Sequence, residues 1–294
     1  MNIRQLTKAL NLLKPGAVVD AKDITVGLAN TSYLLITDAD EKYVARQLRM
    51  QSPGSARIDA KLQARLKAVG VGTPEYATLT TDDVVGEVDD YNFTISPLLV
   101  GSLPDKVTIA LAGSFGATLA KIHQAFKDAQ PFVVPNAAQW LDPKNARRDI
   151  ALCPTDLRQR MEEQLGRTEQ LLTLDLPRTV IHADLFQENV FAENDEVTVV
   201  FDLETVEYTV RLLDIARTYI SFVYNGLDPS NTQTTLFDAY NSTAEQPLTP
   251  AELKQFPVAV EYASVVCAAW LYNNDGKEFV EPYIAIGSGV PDIR

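Results

Sequence analysis

The sequence predicts an α+β chain of two lobes, a small antiparallel β lobe followed by a larger, mainly helical one. Two observations carry this expectation. Strand-like runs separated by turn residues crowd the first hundred positions, and apolar residues recur at helical spacing from Val107 onward. The boundary is expected after residue 97, giving lobes of residues 1–97 and 98–294.

Thr31 to Thr37 and Lys42 to Leu48 read as two strands joined by the polar turn Asp38-Ala39-Asp40-Glu41. Ile58 to Val69 reads as a helix, with Leu62, Leu66 and Val69 on one face. Gly70, Gly72 and Pro74 then end it. Glu75 to Leu79, Val84 to Val88 and Tyr91 to Ile95 are expected as three short strands, and Ser96 to Gly101 as the connector. Val107 to Phe126 and Pro154 to Leu174 follow as helices. Val180-Ile181, Val190-Phe191 and Val197 to Phe201 are short strands inside this helical half. Arg211 to Tyr224, Leu236 to Asn241 and Pro250 to Asn273 are the remaining helices.

A chain of 294 residues with 46% hydrophobic composition can bury a substantial core. Its formal net charge of −13 disfavours nucleic acid and anionic membrane surfaces, both of which are bound through Lys and Arg. No apolar run is long enough to span a bilayer, and Met1 to Gly16 does not read as a signal peptide, so a cytoplasmic protein is expected. Cys153 and Cys267 are far apart and read as two buried thiols. With His123 and His182 as the two histidines, a histidine metal site is not expected. The phosphate-binding pattern G-x-x-x-x-G-K-[ST] does not occur.

The stretch with chemical content is His182-Ala183-Asp184-Leu185-Phe186-Gln187-Glu188-Asn189, followed by Val197 to Phe201 and Asp202-Leu203-Glu204. Phosphoryl transfer from a nucleotide needs a carboxylate to orient the attacking hydroxyl and accept its proton. It also needs oxygen ligands for magnesium and cations for the phosphates. Asp184 is the candidate for the first task. Asn189 and Asp202 are candidates for the second, because magnesium takes carboxylate and amide oxygens.

This ordered set resembles the catalytic and metal loops of the protein-kinase-like superfamily. His-Ala-Asp-Leu-Phe-x-x-Asn with Asp-x-Glu in place of Asp-Phe-Gly resembles its aminoglycoside phosphotransferase and choline kinase branch, and homoserine kinases most of all. Arg211-Leu-Leu-Asp214-Ile-Ala216 also looks like that branch. The resemblance implies a two-lobed protein-kinase-like fold and an ATP- and magnesium-dependent small-molecule kinase. It further implies that His182 braces the catalytic loop and that Glu204 is a possible further metal ligand. Asp214 is expected to support loop or helix geometry, and His123 to be a polar helix residue without a ligand role. In the first lobe, Val26-Gly27-Leu28-Ala29-Asn30-Thr31 stands where the family covers the phosphates with a loop, so Gly27 and Asn30 are nucleotide candidates. Arg46 stands where a cation grips the phosphates, with Asp59 as its acidic partner. Ser96 and Leu98 to Val100 fall at the adenine-binding hinge.

The acceptor implied is an amino-acid-like alcohol such as homoserine, whose carboxylate needs a cation: Arg147, Arg148 and Arg217 are candidates. Aminoglycosides, choline or ethanolamine, and fructosamines are the alternatives. A rival of another class is a catalytically silent nucleotide-binding regulator. A protein kinase is disfavoured by the missing Gly-rich triad and the missing Asp-Phe-Gly and Ala-Pro-Glu motifs. The sequence carries no signal for oligomeric state.

Overall fold

The computed structural model describes residues 1–24, 30–49, 51–130, 139–274 and 276–289. It divides into two compact units, Met1–Val100 and Gly101–Arg294. The fold is α+β as expected: a small antiparallel sheet dominates one unit and helices dominate the other.

The first unit opens with helix α1 (Ile3–Asn11). Asn2 and Gln5 form a reciprocal capping box at its start. Five antiparallel strands follow: β1 (Val18–Asp23), β2 (Thr31–Thr37), β3 (Lys42–Gln47), β4 (Gly86–Val88) and β5 (Tyr91–Pro97), in the order β1-β2-β3-β5-β4. Leu6, Ala9 and Leu10 of α1 bury against Leu35, Ala45, Phe93 and Ile95 of the sheet. Between β3 and β4 lies α2 (Pro53–Ala68), which starts five residues earlier than the apolar spacing suggests. Ser52 caps it and Pro53 occupies its first turn, where a missing N–H costs nothing.

One expected strand is absent. Glu75 to Leu79 is irregular, and its backbone is satisfied without a ladder: Ala77 N–H donates to the Ile95 carbonyl at 2.7 Å and Leu79 N–H to that of Asp83 at 2.7 Å.

In the second unit, α3 (Ile109–Phe126) is capped by Thr108. After α4 (Pro143–Ile150) and α5 (Thr155–Thr168) come two small antiparallel strand pairs. β6 (Arg178–Ile181) pairs with β9 (Glu207–Val210), and β7 (Val190–Glu193) pairs with β8 (Glu196–Val200). The chain ends in α6 (Leu212–Tyr224), α7 (Pro229–Thr243), α8 (Pro250–Asn273) and α9 (Lys277–Ser288). Helix α8 is the hub, packing on α4, α5, α6 and α9. Helices α3 and α7 lie close because Gly116 has no side chain: a Cβ there would stand 2.5 Å from the Leu236 carbonyl oxygen. Among the described residues no helix is long and apolar enough to cross a membrane.

Candidate active site

The segment between β6 and β7 is held at both ends by burial. Ile181, Leu185, Val190 and Val200 are inaccessible, so the polar residues between them have little freedom. The turn itself is strained. Ala183 sits at φ +70°, a left-handed conformation that costs an L-residue about 1–2 kcal/mol. Asp214, fully buried at the start of α6, holds it there: its Oδ1 accepts from Ala183 N–H at 2.8 Å and its Oδ2 from His182 N–H at 2.9 Å.

His182 is a brace. Its Nε2 donates to the Phe201 carbonyl at 2.7 Å, which leaves Nδ1 as acceptor for the Asp184 N–H at 3.3 Å. One ring thus ties Asp184 to the end of β8, next to Asp202. Thr205 Oγ1 donates to the His182 carbonyl and Thr218 Oγ1 to that of Leu185. The β7–β8 pairing and a bond from Phe201 N–H to the Asn189 carbonyl (2.9 Å) set Asn189 beside Asp202. Asn189 Nδ2 donates to the Asp184 carbonyl at 2.9 Å, which turns the amide oxygen the other way. Asp202 lies in the left-handed region at φ 61°, where the strand breaks into a tight turn.

The Asp184 carboxylate keeps 29% of its side-chain surface exposed and is met by Arg217 of α6, itself buried. Arg217 Nη2 and Nε both reach Asp184 Oδ1, at 3.0 and 3.2 Å. Its guanidinium lies 4.8 Å from the centre of the Phe186 ring and 5.9 Å from that of Tyr283 on α9. Burial pushes the Asp184 carboxyl above the usual carboxylate range, and Arg217 pulls against it. Burial, the largest single influence, lowers Arg217, but the charge and hydrogen bonding of Asp184 together with Cys267 and Tyr283 raise it further and keep the guanidinium firmly protonated.

The structure therefore brings together His182, Asp184, Asn189 and Asp202. Glu204 is half-buried in the turn after Asp202. Among the described residues no three His, Cys, Asp or Glu side chains gather as a metal site, so a cation here would rely on Asn189 Oδ1 and the Asp202 carboxylate. These hard oxygen donors fit magnesium, which takes one or two carboxylates from the protein and completes its shell with phosphates and water.

In the first unit, Arg46 lies on β3, opposite Ser32 of β2 and Thr94 of β5. Asp59 lies on the buried face of α2 and accepts from Gln51 Nε2 at 2.6 Å. Asn30 is buried and its side-chain oxygen accepts the Arg49 N–H at 3.1 Å. Ser96 is buried in β5 opposite Val44. Gly27 lies outside the described residues. The hinge expectation needs one correction: the Leu98 N–H already donates to the Lys42 carbonyl at 3.1 Å, so Leu98 is not a free donor for adenine.

His123 has more to do than its position suggests. Its Nε2 lies 3.0 Å from Asp214 Oδ2 and its Nδ1 2.8 Å from the Tyr240 hydroxyl, so it backs the carboxylate that holds the His182–Ala183 turn. A single histidine on an apolar helix gives no local sign of such a partner. Arg217, Thr205 and Thr218 were equally silent in the sequence as neighbours of the turn.

The model of the APH phosphotransferase enzyme family matches residues 20–251, well over half of the chain. The chain belongs to the APH family. It is therefore an enzyme of the phosphotransferase class. Among its curated relatives, the homoserine kinase of Granulibacter bethesdensis is 26% identical over 259 residues, covering 85% of this chain and 79% of that one. Among solved structures, an amicoumacin kinase in complex with AMP-PNP and Ca2+ superposes with a TM-score of 0.78 at 14% identity, covering 99% of this chain and 95% of the other. The aminoglycoside phosphotransferase of Alicyclobacillus acidocaldarius gives a TM-score of 0.69 at 12% identity, covering 95% and 90%. At these identities the solved structures establish that this APH chain shares their fold.

Proposed function

We propose that this enzyme moves the terminal phosphate of ATP, bound with magnesium, to the hydroxyl of an amino-acid-like alcohol such as homoserine. The observation that carries the reading is the Asp184 carboxylate, partly exposed on a braced turn with Asn189 and Asp202 alongside. Bound ATP and its cation supply the electrophilic phosphorus and neutralise charge on the phosphates. Asp184 orients the acceptor hydroxyl and takes its proton. Its raised proton affinity suits that task, since a general base works best when its pKa approaches the working pH. Asn189 and Asp202 would hold the cation, with Glu204 as a further candidate ligand, and His182 keeps the two loops in register.

In this reading residues 1–97 form the nucleotide-binding lobe and residues 98–294 the catalytic and acceptor lobe. Arg46, paired with Asp59, meets the phosphates, Gly27 and Asn30 are candidates for nucleotide binding, and Ser96 lies at the adenine hinge with the backbone of Leu99 and Val100. The homoserine kinase relatives support homoserine as acceptor. An aminoglycoside acceptor is the second reading, favoured by the aminoglycoside phosphotransferase among the structural neighbours and by the net charge of −13, which suits a cationic substrate.

The test is an ATP-consumption screen with homoserine, choline, ethanolamine, aminoglycosides and fructosamines, repeated with Asp184→Asn. Loss of the base is expected to lower kcat roughly 10²–10⁴-fold. Full activity in that variant refutes the assignment of Asp184. Binding of ATP with magnesium but no turnover of any acceptor marks a silent nucleotide-binding regulator instead.

A further inference from the structure

Arg217 is more heavily invested in this site than a partner for Asp184 needs to be. It sits in the middle of α6 with 8% of its surface exposed. Two of its three nitrogens, Nε and Nη2, converge on a single carboxylate oxygen of Asp184. The third, Nη1, is buried and makes no hydrogen bond among the described residues. A guanidinium carries five N–H donors in a fixed plane, and leaving charged donors buried and unmet is costly. Of the groups facing it from the neighbouring helices, the Tyr283 hydroxyl interacts with the guanidinium, yet Nη1 still makes no hydrogen bond among the described residues. Cys267 of α8 and Tyr283 of α9 are both held in their neutral forms by burial, and the rings of Phe186 and Tyr283 supply flat apolar walls. Asp184 is the anion that balances the Arg217 charge, and it occupies one edge of the guanidinium.

The unmet nitrogen therefore lies one guanidinium width from the carboxylate that would receive the acceptor hydroxyl. We propose that Arg217 is the specificity-determining residue for the acceptor, with Nη1 binding an acceptor carboxylate while Asp184 faces the hydroxyl of the same molecule. The site so built selects short hydroxy acids and zwitterionic hydroxy amino acids. It rejects acceptors that would bring an ammonium group against the buried guanidinium. Homoserine fits, because a short carbon chain separates its hydroxyl from its carboxylate. The inference rests on the kinase reading above and assigns the acceptor class to that same site.

Two comparisons test it. Homoserine and 3-aminopropan-1-ol differ by the carboxylate alone. A site built to pair a polar group discriminates strongly against an analogue that lacks it, so the wild-type enzyme is expected to favour homoserine in kcat/KM by roughly 10³-fold or more. In Arg217→Gln that ratio is expected to collapse by at least about 10²-fold, chiefly through a higher KM for homoserine. Arg217→Lys, which keeps the charge without the planar fork, is expected to fall between the two. ATP–magnesium affinity and the melting temperature of each variant report whether it is folded. The second comparison needs no variant. L-2-aminobutyrate, which is homoserine without its hydroxyl, is expected to compete with the acceptor, and propylamine is not.

An unchanged ratio in Arg217→Gln, or equal loss with both acceptors, overturns the proposal. Equal loss would mean that Arg217 serves only Asp184 or the transferred phosphate. If homoserine is not phosphorylated at all, homoserine as substrate fails by itself. The carboxylate inference is then decided by serine against ethanolamine and by hydroxy acids against matched amino alcohols. Turnover confined to acceptors without a carboxylate overturns it.

Discussion

Replacing Asp214 with Asn keeps the side chain's size and removes its charge. In the native turn both carboxylate oxygens accept backbone N–H groups, from Ala183 at 2.8 Å and His182 at 2.9 Å, and Oδ2 also meets His123 Nε2 at 3.0 Å. An Asn can satisfy one of these positions. If its oxygen stays on Ala183, its NH2 points at the His182 N–H, donor against donor, inside a region closed to water. The loss of one buried charge-assisted hydrogen bond is worth about 1.5–3 kcal/mol, and the surviving bond weakens as it becomes neutral. A cost of about 2–4 kcal/mol in unfolding free energy is expected.

Function should fall further than stability. Ala183 at φ +70° has a standing tendency to relax, and Asp214 is what opposes it. A relaxed turn carries Asp184 with it, and misplacement by about 1 Å is enough for a 10²-fold loss of rate. Denaturant unfolding followed by helical circular dichroism measures the first effect and kcat with the best acceptor the second. An Asp214→Asn variant within about 0.5 kcal/mol of wild type and with unchanged kcat would refute the claim that this carboxylate holds the turn.

The other expectations concern the rest of the second unit. Arg211 is buried with Glu252: its Nε and Nη2 meet the two carboxylate oxygens at 2.7 and 2.9 Å, and it also donates to the carbonyls of Gln246 and Pro247. Arg211→Met leaves Glu252 as an uncompensated buried charge at the α8 capping box, so a loss of about 3–5 kcal/mol is expected in denaturant unfolding, and a loss below about 1 kcal/mol would show that the pair is dispensable. Burial pushes the Cys267 thiol up to about 12 and raises Cys153 as well. At pH 8 the Cys267 thiolate fraction is then only ~10⁻⁴, so native protein is expected to resist Ellman's reagent, with reactivity rising about tenfold per pH unit and both thiols titrating after unfolding. Rapid stoichiometric labelling of folded protein at pH 8 would contradict this.

The sequence by itself determined the elements whose signals are local. Turn residues between Thr37 and Lys42, the apolar spacing of Val107 to Phe126, and the order His182-x-Asp184…Asn189…Asp202 can each be read without knowing what lies across the fold. The turn and the strand break proposed to carry the chemistry were legible for the same reason, because they are close in the chain. Some local signals were present but passed over, such as the Asn2–Gln5 capping box of α1 and the Ser52-Pro53 start of α2. Glu75 to Leu79 reads as a short strand in sequence, yet its backbone finds partners in Ile95 and Asp83 without joining the sheet ladder.

What only the tertiary structure decided is who meets whom across distance. His123 reaches Asp214 over 91 residues, and Arg217 reaches Asp184 over 33. In sequence, a histidine or arginine on a helix looks the same whether its face is bathed in water or pressed against a buried turn. Packing of α3 onto β6, and hydrogen bonds between α6 and the turn that follows it, remove the water, and a polar or charged group without water must find a partner. That necessity, invisible along the chain, made His123 a support for the turn and set Arg217 on Asp184 with one nitrogen still unmet.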